Sequence, residues 1–172
     1  MRGSRGFTLI EIMIVLSIVA IGLVMAIPNL QRWMSRTNAQ GFEREVFSEL
    51  QGARIRSSSG TVRYRLVFDF GAGTTSLQVR EAGGWSPVRG PAVQAPFGAG
   101  FVSITPSGGA AVTSGLYAFV FNPSGEVYAQ SDTADDGTIA SIDNAVIRLT
   151  GANLQDTASI LLYGWTGKAR LN

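Results

Sequence analysis

Between positions 7 and 27 every residue except Thr8, Glu11, Ser17 and Gly22 is apolar. As a helix these 21 positions would rise about 31 Å, the thickness of a bilayer hydrocarbon core. The pattern then changes without stopping. Leu30, Met34, Phe42, Val46, Leu50 and Ala53 recur at helical spacing, Trp33 widens the stripe, and Arg32, Arg36, Arg44 and Glu45 fall on the other side. This predicts one long helix over about 7–57, kinked near Pro28, whose second half offers an apolar face to a folded domain. From position 60 the period becomes two. Val62, Tyr64, Leu66, Phe68 and Phe70 point one way and Arg63, Arg65 and Asp69 the other, the signature of a half-buried strand. Further strands are expected at 76–81, 101–105, 116–121, 126–130, 145–150, 159–163 and 168–171, with a proline-bearing surface loop over 83–100. No βαβ spacing appears. The expected fold class is α+β, a long N-terminal helix packed on antiparallel β-sheets.

Composition narrows the chemistry. The 172-residue chain has neither cysteine nor histidine, which removes disulfides, thiolate nucleophiles and the usual zinc ligands and leaves little basis for an enzyme. No cofactor is expected. Of 14 basic residues, Arg2 and Arg5 precede the apolar run; the remaining basic residues balance the 12 acidic ones. That charge placement predicts a single span with the lipid bilayer as a partner, its N-terminus cytoplasmic and its distal domain outside. A secretory signal peptide ending near Val24, Met25 and Ala26 and a generic anchor are the competing readings. Neither explains Glu11, since a carboxylate in an apolar environment calls for a partner.

The stretch Arg5-Gly6-Phe7-Thr8-Leu9-Ile10-Glu11 resembles the processing site of type IV prepilins and type II secretion pseudopilins. The resemblance implies cleavage by prepilin peptidase between Gly6 and Phe7 and N-methylation of Phe7. It makes Glu11 the fifth mature residue, which pairs with a neighbouring subunit's terminal amine during assembly. It implies a leader at 1–6, a transmembrane helix part at 7–29 in the inner membrane, a periplasmic helix part at 30–58 and a β-rich periplasmic domain at 59–172. Expected partners are other pilin or pseudopilin subunits and an inner-membrane assembly platform. The turn Phe121-Asn122-Pro123-Ser124-Gly125 and the end Gly167-Lys168-Ala169-Arg170 are similar to features of the GspH/FimT family of minor pseudopilins and minor pilins. The leading expectation is a minor pseudopilin of a type II secretion system, without enzymatic activity.

Two weaker sites remain open. Some minor pilins of that family bind DNA through basic residues at the C-terminal motif, which points to Lys168 and Arg170; the same residues also read as the outward side of a terminal strand, alternating with Ala169 and Leu171. Asp132, Asp136, Gly137 and Asp143 fit the first, fifth, sixth and twelfth places of a calcium loop, but Ala134 fails the third. A hydrated turn between strands explains them as well.

Overall fold

The computed structural model describes residues 8–88, 90, 92–96, 98–131, 139–151 and 157–171, without the side chains at 25, 28, 29, 31, 32 and 35. The leader, Gly6 and Phe7 lie outside the described residues, as do Asp132 and Asp136. Helix α1 runs from Leu9 to Ser58, through position 28, and two compact units divide at Met34 and Ser35.

In the first unit the helix from Leu9, 79% exposed, to Val24 carries exposed apolar side chains around its circumference, interrupted by Glu11 and Ser17. Ser17, the one hydroxyl in its upper half, donates back to the Met13 carbonyl at 2.8 Å and so costs the segment no open polar group. Among the described residues no helix is long and apolar enough to cross a membrane. Glu11 interrupts the apolar run near its start, and the uncharged stretch that follows it, positions 12–27, rises about 24 Å against roughly 30 Å of hydrocarbon. The expected single-pass placement in the inner membrane, with a periplasmic distal domain, is corrected accordingly.

In the second unit α1 buries Ala39, Phe42, Val46, Leu50 and Ala53. They recur every three or four residues and so form one stripe. The stripe predicted from sequence begins too early: Leu30, Trp33 and Met34 are exposed. Among the described residues eleven strands make two antiparallel sheets. One has the order β3 (Gly84–Pro87), β2 (Thr74–Glu81), β1 (Tyr64–Asp69), β6 (Leu116–Phe121), β7 (Val127–Gln130), β8 (Ile139–Ser141), with β4 (Val93–Gln94) also paired to β2. The other has the order β11 (Ala169–Leu171), β10 (Thr157–Tyr163), β9 (Asn144–Thr150), β5 (Gly100–Pro106). Within the strands every second large apolar residue faces the same core, although β1 and β6 are buried on both sides. Leu66 and Phe68 of β1, Phe119 and Phe121 of β6, Ile147 and Leu149 of β9, and Ile160 and Leu162 of β10 join the helix stripe in one core. Each such side chain contributes about 1.5–3 kcal/mol by leaving water. Phe101 of β5 links the parts, its ring lying 5.2 Å from Phe42 and 5.4 Å from Phe68.

Two expectations change. The stretch 83–100 is not all loop, since β3 and β4 extend the first sheet. As a result Arg65, expected on a solvated face, is 5% exposed. Trp85 of β3 lies over its guanidinium at 4.5 Å, and Arg65 donates to Gln78 Oε1 at 2.7 Å and Gln130 Oε1 at 3.2 Å. A buried guanidinium is tolerated because the ring and the amide oxygens replace its water.

Glu43 is less well served. It sits on α1 against β10; one carboxylate oxygen, Oε1, is buried without a partner. Desolvation raises its pKa above 4.5, partly offset by the Ser159 backbone N–H and by Arg44. A carboxyl with a raised folded-state pKa favours the native state most when protonated, and that contribution is lost as pH rises through the folded value. Glu43→Gln is therefore expected to raise the melting temperature at pH 7 by about 1–2 °C, discounted for partial solvation. The gain should shrink as pH falls from 7 toward 4.5 and be absent below it; thermal melts across that range measure it, and a lower melting temperature at pH 7 would contradict it.

Candidate functional site

Three regions carry the residues singled out by sequence. The first is the start of α1. Thr8 precedes the first helical residue, and its hydroxyl accepts from the Glu11 N–H at 3.3 Å while its carbonyl accepts from the same N–H at 3.1 Å. Thr8-x-x-Glu11 thus has the spacing of a capping box, and Glu11 also places negative charge in the first turn, where the helix dipole favours it. This local role for Glu11 was legible in the spacing but went unread. The carboxylate itself is exposed, amid exposed Leu9, Ile10, Ile12 and Met13.

The second region gathers the two motifs of the distal domain. After β6, Asn122 N–H donates to the Glu126 carbonyl, and Gly125 N–H to the Asn122 carbonyl, each at 2.9 Å, so residues 121–125 form a closed turn. Gly125 and Gly167 both have positive φ, 91° and 59°, a region costly for other residues. They also meet: a Cβ on Gly167 would lie 3.1 Å from the Gly125 carbonyl oxygen and 3.2 Å from Arg54 Cδ. The end of α1 closes the junction. Ser57 Oγ donates to the Phe121 carbonyl at 2.8 Å, Arg54 Nε to the Thr166 carbonyl at 2.8 Å, and Gln51 Nε2 to the Ala169 carbonyl at 3.4 Å. Phe121 is buried, Pro123 is exposed at the turn's tip, and the turn works as a clasp between helix, first sheet and the segment before the last strand.

Gly164, which sequence reasoning missed, fixes the same corner. Its N–H donates to the Asp143 carbonyl at 2.9 Å and its carbonyl accepts from Val127 N–H at 2.6 Å. The next residue, Trp165, is exposed, with its indole Nε1 donating to Asp143 Oδ1 at 3.0 Å. Asp143, the third calcium candidate, is thus engaged by an indole. Among the described residues no group of three or more metal-ligating side chains exists.

The third region is the outer face of the second sheet. Lys168 and Arg170 are exposed on the edge next to β10. Register places Arg170 opposite Leu161, and Arg148 of β9 opposite Ser159 and Ser103. Strands β5, β9, β10 and β11 contain no carboxylate. The face is therefore basic, with Tyr163 exposed beside Lys168.

A long N-terminal helix on antiparallel sheets, begun by a capped apolar segment, defines the pilin-like class. Residues 1–27 match the family model described as the prokaryotic N-terminal methylation motif, which characterises type II secretion pseudopilins and type IV pilins. No curated protein and no solved structure matches the chain. Motif and fold agree on a pseudopilin- or pilin-like protein.

Proposed function

We propose that this chain is a minor pseudopilin of a type II secretion system, a non-enzymatic filament subunit that aids assembly or forms the filament tip. The observation that carries the reading is the start of α1: a helix with exposed apolar side chains around its circumference over positions 9–24, lying inside the stretch 1–27 that matches the methylation motif. A helix apolar on all sides is stable only when covered, and the corresponding helices of neighbouring subunits provide such cover. Prepilin peptidase would cut between Gly6 and Phe7 and methylate Phe7; Glu11 would then meet a neighbour's terminal amine, each charge offsetting part of the other's desolvation. The clasp of Phe121, Pro123 and Gly125 with the segment before the last strand supports the minor group.

The test separates processing from assembly. Gly6→Val should leave the leader attached, read by mass spectrometry of the purified protein. Glu11→Ala should be cleaved and methylated as usual, yet crosslink to neighbouring subunits at least tenfold less. Normal Phe7-starting protein from Gly6→Val, or normal crosslinking of Glu11→Ala, would reject the corresponding step.

The basic outer face favours a second reading, a type IV minor pilin that binds DNA during uptake. On that reading the full chain binds duplex DNA with an affinity that falls with salt. Replacing both Lys168 and Arg170 by alanine reduces the salt slope by roughly 0.9 per lost phosphate contact. Absence of binding at low salt leaves the pseudopilin.

A further inference from the structure

Trp165 is 66% exposed, yet its indole is tied to the domain by a hydrogen bond to Asp143. The preceding Gly164 is held on both sides of its peptide by Asp143 and Val127, and the indole is fixed by the Asp143 carboxylate. An aromatic ring immobilised before any contact is made loses little entropy on binding, the property of interface anchors. Beside it lies a cleft of about 170 Å³. It is lined by buried Val127 and Ile142 and by Ser141; Tyr128 and Trp165 supply aromatic surface and Glu126 a carboxylate. Glu126 is itself oriented, its Oε2 accepting from Tyr128 Oη at 2.9 Å and from Ser124 Oγ at 3.4 Å.

Aromatic surface and an oriented carboxylate together match one kind of group: a side chain that ends in a cation. We propose that this cleft receives an arginine or lysine side chain from a partner polypeptide, with Trp165 and Glu126 holding the charged end. Arg63 lines the neighbouring cleft with Tyr128 and limits the local negative potential, so recognition depends on the ring and carboxylate acting together. The partner is an adjacent filament subunit only on the reading above; the chemistry of the cleft stands without it.

The test uses the full chain in a mild non-ionic detergent and a blocked Gly-Arg-Gly peptide, with the citrulline peptide as its neutral match. The readout is the indole N–H resonance of Trp165, assigned with Trp165→Phe. A saturable shift with the arginine peptide, absent with citrulline and weakened about fivefold in Glu126→Gln, is expected. Trp165→Ala should abolish arginine-specific shifts of the Tyr128 and Gly164 amides, whereas Trp165→Phe should retain part of them. Equal shifts with both peptides, no shift up to roughly 50 mM, or a response to a neutral disaccharide instead would overturn the proposal. None of these results depends on processing at Gly6, so failure of the cleft and failure of the filament reading remain distinguishable.

Discussion

Replacing Gly164 by alanine is expected to destabilise the distal domain by more than about 3 kcal/mol, the range of severe backbone overpacking. The added Cβ would sit 1.7 Å from the Ile142 carbonyl oxygen and 2.7 Å from its carbon. Backbone atoms cannot swing aside as a side-chain tip can. Residue 164 cannot retreat either, because both its N–H and its carbonyl are hydrogen-bonded, to Asp143 and Val127. One of those bonds must break, freeing the corner between β7, β9 and β10. Thermal denaturation followed by circular dichroism should show a fall of at least 6 °C, at about 2–4 °C per kcal/mol for a chain of this size. Gly83→Ala is the control: nothing lies within 4 Å of its would-be Cβ, so a change under about 0.5 kcal/mol is expected. A Gly164→Ala protein melting with the parent would show that this corner yields.

Phe68→Ala should cost about 3–5 kcal/mol, combining lost transfer energy with an unfilled cavity. Phe68 is fully buried in β1, its ring edge-on to Phe119 of the same sheet at 5.7 Å and to Phe101 of the other sheet at 5.4 Å. It therefore joins layers as well as filling space. A double-mutant cycle with Phe101→Ala isolates that link, and a coupling of about 0.5–1.5 kcal/mol is expected for the ring pair. Simple additivity would mean that Phe101 contributes only bulk.

The strands with clear alternation were legible because large apolar residues recur at every second position and turn residues bound them. Leu66, Phe68, Phe119, Phe121, Ile147 and Leu149 all face the core as their spacing required. β3 was not legible, since its Gly-Trp-Ser-Pro has no alternating apolar pair and ends in proline. Missing that strand hid the cover over Arg65. The extent of the helix stripe was overread for a related reason: spacing shows which residues share a face, not how far the opposing sheets reach. At the candidate site, the turn around Phe121 and the terminal Gly167-Lys168-Ala169-Arg170 were each visible, but their meeting through Gly125 and Gly167 is a tertiary fact with no local trace. Gly164 carries no cue beyond its flanking aromatics, because the atom it must avoid belongs to Ile142. Of the N-terminal site, the described residues show only the Thr8 cap and the exposed Glu11 carboxylate.

The clasp at the end of α1 also bears on how quickly the domain can form. Gln51 meets Ala169 and Arg54 meets Thr166 across 118 and 112 residues of chain. Contacts this distant in sequence must close large loops before they return any free energy, and folding slows accordingly. During synthesis, Val46 and Leu50 emerge long before Ile160 and Leu162, their companions in the core. For that interval the helix presents the stripe uncovered, a surface for holding chaperones and for self-association alike. Protein production at low temperature, or with a holdase present, addresses the step at which this topology is most exposed.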